Sequence, residues 1–294
     1  MTSTVKKYCD YFAYPEDDKA FLSEVSDALI REGFEDVLTS YKNGEDDYQK
    51  MIERIDSVSE KAGVGKDAAY AVTVLSLCDF VRDGYEKNGY SEELFRDTMR
   101  DITFKTSRYK QFHGFSGTTL IKWYEKFISL KRFGFGRLQY ERSTYKGPET
   151  EIAGIRINTG DPCINFHIPR SGEPFTRQTC LDSLKMAYPF FGGKDGEMML
   201  FKCSSWLIFP PNKEMLGHGN IVDFIDMFKI TKVTEEEPDP SSWGLFANGS
   251  FKKAEDLPED TKLQRAYKKR LLEGKRLGHG LGVFLFDGEK YYNE

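Results

Sequence analysis

Apolar residues recur every three or four positions through the first 130 residues of the chain. Phe21, Val25 and Leu29, for example, are four apart, which predicts the buried face of an amphipathic helix. The same spacing predicts helices at residues 17–31, 46–61, 66–87, 92–102 and 117–128. Ser91 and Ser116 precede two of them and are predicted N-caps, because a serine hydroxyl accepts a hydrogen bond from an orphan amide. The N-terminal part is therefore predicted to be a helical bundle.

The pattern changes at residues 133–136, where apolar residues begin to alternate with polar ones. A period of two is typical of half-buried β-strands. It predicts strands at 137–141, 151–158, 162–169, 198–204, 229–235 and 281–286, with helices at 176–188, 220–228 and 261–273. Asn220 is a predicted N-cap, Thr261 with Gln264 a predicted capping box, and 278–282 a predicted glycine loop. Three strands followed by alternating elements indicate a mixed sheet covered by helices, so the expected fold class is α+β.

Composition narrows the function classes. The chain has 294 residues, of which 39% are hydrophobic and 30% charged, and this length allows two globular cores. A net charge of −5 argues against a nucleic-acid partner, because such proteins usually carry a basic field. Five widely spaced cysteines suggest neither a disulfide framework nor a zinc site. The apolar stretches are too short to span a membrane, so we expect no membrane partner. The cysteine pattern and the polar start of the sequence favour a cytoplasmic location, and the four scattered histidines indicate no bound metal.

The third predicted strand carries the first candidate chemistry. Cys163, Asn165 and His167 alternate with apolar residues and therefore share one face of the strand. Such a polar face can line a cleft, or it can simply point to solvent or be hydrogen-bonded within the sheet.

A candidate phosphate site follows that strand. Arg170, Ser171 and Gly172 lead within a few residues to the next predicted helix, which begins near Thr176 and Arg177. A helix N-terminus presents unpaired backbone amides and the positive end of a dipole, which suits a phosphate. Many loops between a strand and a helix carry such residues, so by itself the segment is a weak signal.

Five short segments are distinctive as a set: GRLQYE at 136–141, INFHIP at 164–169 with the Arg-Ser-Gly that follows, CSSWL at 203–207, GNIV at 219–222 and LQRA at 263–266. Together they resemble a family of GNAT-related N-acyltransferases that joins a helical N-terminal domain to a GNAT-like C-terminal domain. The resemblance covers essentially the whole chain and implies a helical domain at 1–132 and a GNAT-like acyltransferase domain at 133–294. The usual GNAT loop reads Arg/Gln-x-x-Gly-x-Gly/Ala, and the sequence RSGEPFT at 170–176 departs from it.

The resemblance implies transfer of an acyl group, acetyl by expectation, from acyl-CoA to a small-molecule amine by direct attack in a ternary complex. It also implies a sheet that splays between the third and fourth strands. Glu141 and His167 are the candidate bases, and Ser204 or Cys203 is the candidate proton donor to the departing thiolate. The expected contacts of CoA are Ile168, Pro169, Arg170, Ser171, Gly172, Thr176 and Arg177, and those of the substrate are Asn165, Cys203, Trp206 and Asn220. For Trp206 a place in the core is the alternative.

A second function class stays open at this stage. A domain of this fold can bind CoA or another small ligand, or serve as an interaction module, without turnover. Release of free CoA thiol in the presence of an amine distinguishes the enzyme from the binding module. The sequence also leaves open whether the chain forms a homodimer.

Overall fold

The computed structural model describes residues 3–236 and 253–294. Within them the chain forms two compact units. Unit 1 comprises Met1–Phe135 and Pro169–Gly172, and unit 2 comprises Gly136–Ile168 and Glu173–Glu294. The first is helical and the second contains a mixed sheet, which confirms the α+β class. Among the described helices, none is long and apolar enough to cross a bilayer.

The described part of unit 1 consists of helices followed by one short strand. They are α1 (Ser3–Tyr11), α2 (Glu16–Arg31), α3 (Phe34–Lys42), α4 (Tyr48–Lys61), α5 (Lys66–Ser76), α6 (Cys78–Lys87), α7 (Glu92–Met99), α8 (Asp101–His113), a 3-10 turn (Ile121–Tyr124) and α9 (Glu125–Ile128), followed by β1 (Arg132–Phe135). Helix α5 is the most buried of them, with Ala69, Val72 and Leu75 fully inaccessible to solvent. The single helix predicted at 66–87 is therefore wrong in one respect, because it breaks at Leu77 into α5 and α6.

The two predicted serine caps have different outcomes. Ser91 is confirmed, since its Oγ accepts a hydrogen bond of 3.1 Å from the amide of Leu94 in the first turn of α7. Ser116 caps no helix, and the next helical turn begins only at Ile121. The hydroxyl of Ser116 instead donates to Oδ1 of Asp18 at 2.6 Å, in a buried position. Ser116 therefore lies too far before the helical turn at Ile121 to cap it.

Unit 2 is built from strands and helices in alternation. They are β2 (Leu138–Thr144), β3 (Thr150–Ile152), β4 (Ile155–Ile157), β5 (Pro162–His167), α10 (Arg177–Phe190), β6 (Met199–Ser205), a 3-10 turn (Trp206–Ile208), α11 (Pro211–Leu216), α12 (Asn220–Ile225), β7 (Lys229–Glu236), a 3-10 turn (Ala254–Asp256), α13 (Lys262–Leu272), β8 (Leu277–Phe286) and β9 (Tyr291–Tyr292). Its main sheet runs in the order β2-β5-β6-β8-β7, and β9 pairs with β8. Strands β5 and β6 are parallel, whereas the pairs β2–β5, β6–β8 and β7–β8 are antiparallel.

One face of this sheet, the helix face, is aromatic. Its buried members are Tyr140, Phe166, Phe201 and Phe284. The rings of Phe201 and Phe284 stack at 5.6 Å, and the Tyr140 hydroxyl lies 2.8 Å from Oγ of Ser183 on α10. Because side chains alternate along a strand, Glu141 and Asn165 point to the opposite face of the sheet, which we call the site face.

Three sequence predictions in unit 2 are corrected by the fold. The strand predicted at 151–158 is the hairpin β3–β4, because Ala153 and Gly154 have φ of 49° and 75° and form a two-residue turn. The glycine loop predicted at 278–282 lies within β8, where a Cβ on Gly280 would overlap the carbonyl oxygen of Ile208. Helix α12 begins at Asn220 with Gly219 in the N-cap position, so Asn220 is not the cap.

Candidate active site

A hydrogen-bonded cluster of three side chains lies on the site face. The register of the antiparallel pair β2–β5 sets Glu141 opposite Asn165, and His167 follows two residues later on the same face. Nδ2 of Asn165 lies 3.2 Å from Oε1 of Glu141 and 3.0 Å from Nε2 of His167. The imidazole Nε2 and the carboxylate Oε1 are themselves 3.2 Å apart. The sequence predicted each of these residues as a site candidate, but not their mutual contacts.

The exposed fractions of the cluster differ. The side chain of Glu141 is 7% exposed and that of His167 is 24% exposed. A carboxylate removed from water needs hydrogen-bond donors, and the amide of Asn165 supplies one. With the amide oriented in this way its second hydrogen points to Nε2 of His167, which then carries a lone pair. A proton accepted at Nε2 would lie beside the Glu141 carboxylate, which stabilises an imidazolium. The arrangement keeps a carboxylate beside the imidazole nitrogen, and the role of His167 as a base stays a prediction.

The cluster lies where two parallel strands stop pairing. In the described ladder, β5 and β6 pair at Ile164 with Phe201 and at Asn165 with Lys202. Phe166 and His167 of β5 therefore extend beyond the paired segment. The described β5–β6 ladder thus ends at Asn165, and the splay expected between these two strands stays a prediction.

Ser204 and Cys203, the candidate donors, occupy different faces of β6. Ser204 is exposed and lies on the site face. Lys202 is the register partner of Asn165, and Ser204 follows Lys202 by two residues, so all three side chains point to the same side of the sheet. Cys203 points to the helix face and is 1% exposed. Burial raises the pKa of its thiol, so the group stays protonated at neutral pH. Of the two, Ser204 alone is on the face of the cluster, while Cys203 remains a prediction without support from its position.

Trp206 and Asn220 are not brought to the cluster by any described contact. Trp206 begins the 3-10 turn after β6 and packs edge to face on Tyr267, with ring centroids 5.9 Å apart. It packs in an apolar cluster with Leu216, the last residue of α11, and Leu257, which follows the 3-10 turn before α13. The core alternative considered for Trp206 fits this packing, whereas Asn220 is exposed at the start of α12. Their role toward a substrate stays a prediction.

The expected phosphate loop is divided between the two compact units. Pro169, Arg170, Ser171 and Gly172 belong to unit 1, whereas Ile168, Thr176 and Arg177 belong to unit 2. Gly172 has φ of 76°, a left-handed conformation that glycine adopts without strain. Thr176 caps α10, since its Oγ1 accepts from the amide of Thr179 at 3.2 Å, and Arg177 lies in the first turn of that helix. The joint binding of one pyrophosphate by these residues stays a prediction.

Sequence reasoning missed Lys202, the basic residue on the site face next to the cluster. It is 9% exposed, and its Nζ donates to the carbonyl of Thr144 at 2.6 Å. No spacing signal marks it, because its neighbours in space come from β2 and β5. Within residues 3–236 and 253–294, no group of three or more His, Cys, Asp or Glu side chains converges to hold a metal.

The fold and the family comparisons agree on the class of protein. A model of the GNAT-like C-terminal domain matches residues 133–284, more than half of the chain, and a model of the N-acyltransferase N-terminal domain matches residues 3–130. The described order of strands and helices in unit 2 is that of a GNAT-like fold. The chain therefore belongs to the family of the GNAT-like C-terminal domain, and with its N-terminal domain it is a GNAT-like N-acyltransferase, which confirms the resemblance inferred from the sequence.

Solved structures of acyltransferases share the fold. One, in complex with decanoyl-CoA and teicoplanin, has a TM-score of 0.62 and 18% identity over 95% of this chain and 98% of its own. Another, in complex with CoA and 10C-teicoplanin, has a TM-score of 0.62 and 17% identity over the same shares of 95% and 98%. A third, in complex with decanoyl-CoA, has a TM-score of 0.60 and 21% identity over 73% of this chain, which spans just 64% of that chain's length. Comparison with curated proteins finds no match.

Proposed function

We propose that the protein transfers an acyl group from acyl-CoA to the nitrogen of a small-molecule amine by direct attack in a ternary complex. The observation that carries the proposal is the cluster of Glu141, Asn165 and His167 at the point where β5 and β6 stop pairing. Family membership supports the reaction class. The acyl-CoA ligands of the solved relatives support a CoA thioester as donor, and their teicoplanin complexes support a small-molecule acceptor.

In the proposed reaction the free amine attacks the thioester carbonyl, a C–N bond forms and the C–S bond breaks. His167 accepts the proton that the nitrogen loses, and Glu141 stabilises the resulting imidazolium at 3.2 Å. The thiolate of CoA leaves and is protonated by Ser204 or by water at the same face of the sheet. Orientation of the two substrates beside each other supplies much of the acceleration in such a mechanism, because no covalent enzyme intermediate is formed.

The pantetheine arm of CoA is proposed to lie along the last residues of β5, from Phe166 to Ile168. The end of the described β5–β6 ladder at Asn165 supports this placement. The pyrophosphate is proposed at Arg170, Ser171, Gly172, Thr176 and Arg177. Two features support a phosphate there. Gly172 has a left-handed backbone conformation, and the first turn of α10, capped by Thr176, presents backbone amides at its N-terminus.

The acyl chain length is a separate part of the proposal. Acetyl is the expectation from the sequence, whereas solved relatives bind decanoyl-CoA and, in one variant, octanoyl-CoA. The domain boundaries 1–132 and 133–294 and a cytoplasmic location likewise stay proposals. A homodimer is a further proposal, and sedimentation velocity of the purified chain measures it.

The test measures free CoA thiol after mixing the protein with acetyl-, octanoyl- or decanoyl-CoA and a panel of amines. We expect thiol release that depends on the amine, and an N-acyl product of matching mass. CoA that binds by calorimetry but is never released as thiol with any amine would instead identify the binding module. Absence of both binding and turnover would refute any role of CoA.

A further inference from the structure

A pocket of about 530 Å³ opens within unit 1. Helix α8 contributes Arg108 to its wall, and the segment after β5 contributes Arg170. Phe12 and Phe104 provide aromatic surface, and Gln111 and Ser171 provide polar groups. The segment proposed to hold the pyrophosphate of CoA therefore lines the same pocket as a helix of the N-terminal domain.

Arg108 is held in place by its own helix. Its Nη1 donates to Oε1 of Gln111 at 3.1 Å, and its guanidinium carbon lies 4.1 Å from the centre of the Phe112 ring. Loss of hydration, and then the positive charge of Arg170, lower the pKa of Arg108 to about 10. Two guanidinium groups that repel each other in a partly dehydrated pocket are stabilised by an anion between them.

The acid of the pocket is already neutralised. Asp18 lines the wall, but its Oδ1 accepts from the hydroxyl of Ser116 at 2.6 Å and lies 2.9 Å from Nζ of Lys110. The other two charged side chains that line the pocket, Arg108 and Arg170, are both basic. Guanidinium groups beside aromatic rings are the chemistry that recognises a phosphorylated nucleoside, because the rings stack on a base and the guanidinium forks match phosphate oxygens.

We propose that this pocket binds the adenine nucleotide end of CoA, and that Arg108 of the helical unit is a phosphate ligand beside Arg170. The proposal rests on the proposed function, since it takes CoA as the ligand. It assigns a ligand-binding role to the N-terminal domain, which no motif in the sequence indicates. The phosphate is either the 3′-phosphate or the pyrophosphate of CoA, and dephospho-CoA, which lacks the 3′-phosphate, separates the two.

The test is calorimetry of CoA and dephospho-CoA with the full chain and with Arg108→Gln. We expect CoA to bind the variant about tenfold to a hundredfold more weakly, the usual effect of one charge-assisted hydrogen bond. A loss for CoA alone assigns the 3′-phosphate, and an equal loss for both ligands assigns the pyrophosphate. Lys105→Gln on the same helix removes an equal charge outside the pocket and should leave both affinities unchanged.

Unchanged CoA affinity in Arg108→Gln, or an equal loss in Lys105→Gln, overturns the proposal while CoA binding by the parent protein still supports the proposed function. Absence of CoA binding in the parent overturns both. A second measurement needs no variant and so does not depend on the folding of one. Adenosine 3′,5′-bisphosphate should displace CoA from the parent protein at least tenfold better than adenosine, and equal displacement by the two contradicts a phosphate ligand in the pocket.

Discussion

The contact between Glu141 and His167 leads to a quantitative prediction about catalysis. If His167 is the base, His167→Ala should lower kcat/KM by about 10²–10⁴-fold, the usual contribution of a general base. Glu141 acts through His167 by stabilising the imidazolium. The two atoms are 3.2 Å apart, which is within hydrogen-bond range. Glu141→Gln removes the negative charge and should therefore cost one charge-assisted hydrogen bond. At about 1.5–3 kcal/mol, that is roughly tenfold to a hundredfold in rate.

The double variant His167→Ala/Glu141→Gln distinguishes joint from independent action. Residues that act as a unit are strongly non-additive, so the double variant should be no slower than His167→Ala alone. In addition, kcat/KM of the parent should rise with pH as the base loses its proton. This rise should move to lower pH in Glu141→Gln, because the carboxylate that favours the protonated imidazole is gone.

The assay is thiol release at saturating amine between pH 6 and 9, with circular dichroism as the check on folding. His279→Ala is the matched control, since His279 forms the other imidazole–carboxylate pair described in the same sheet, 3.0 Å from Glu236. It should retain parental turnover. Full turnover of His167→Ala with an amine that the parent acylates refutes His167 as the base. Multiplicative losses in the double variant refute the unit formed by the two residues.

Three further predictions concern the loop, the sheet and the thiols. Arg170→Ala should weaken CoA binding by about 1.5–3 kcal/mol in calorimetry, while the exposed Arg31→Ala should not, and equal affinities would remove Arg170 from the phosphate site. Gly280→Ala should lower the free energy of unfolding by about 1–3 kcal/mol, because its Cβ overlaps the carbonyl of Ile208; Gly65→Ala, which meets open space, should lower it by less than about 1 kcal/mol, and urea titration compares them. Burial raises the pKa of Cys163 to about 11 and that of Cys9 to about 12, so Ellman's reagent at pH 8 should label five thiols in denaturant and almost none within minutes in the native protein; fast native labelling contradicts the burial.

The class of the fold could be predicted from the amino-acid sequence alone. Regular spacing predicted most helices of unit 1 and the strands that carry Glu141, Asn165 and His167, because a period of four or of two is a local property of the chain. Hydrogen bonds between residues close in sequence could be predicted in the same way. The predicted capping box of Thr261 and Gln264 is confirmed. Five short segments were enough to indicate the family, which the domain comparisons confirm.

Features that depend on residues distant in sequence could not be predicted, because they are set by long-range packing. Serine is a favoured N-cap residue, but the chain after Ser116 is not helical, and its hydroxyl donates to Asp18, 98 residues away. The glycine-rich segment around Gly280 is typical of a loop, but it is part of strand β8. There the lack of a side chain at Gly280 lets the strand pass close to the backbone of Ile208.

The contacts of the site were decided in the same way. The antiparallel register of β2 and β5 brings Glu141 within 3.2 Å of His167, and the described β5–β6 ladder ends at Asn165, two residues before His167. Arg108 carries no motif at all and joins Arg170 in one pocket only through the packing of unit 1. Spacing along a chain determines which side of an element a residue faces. What that side meets depends on long-range packing, which no local pattern records.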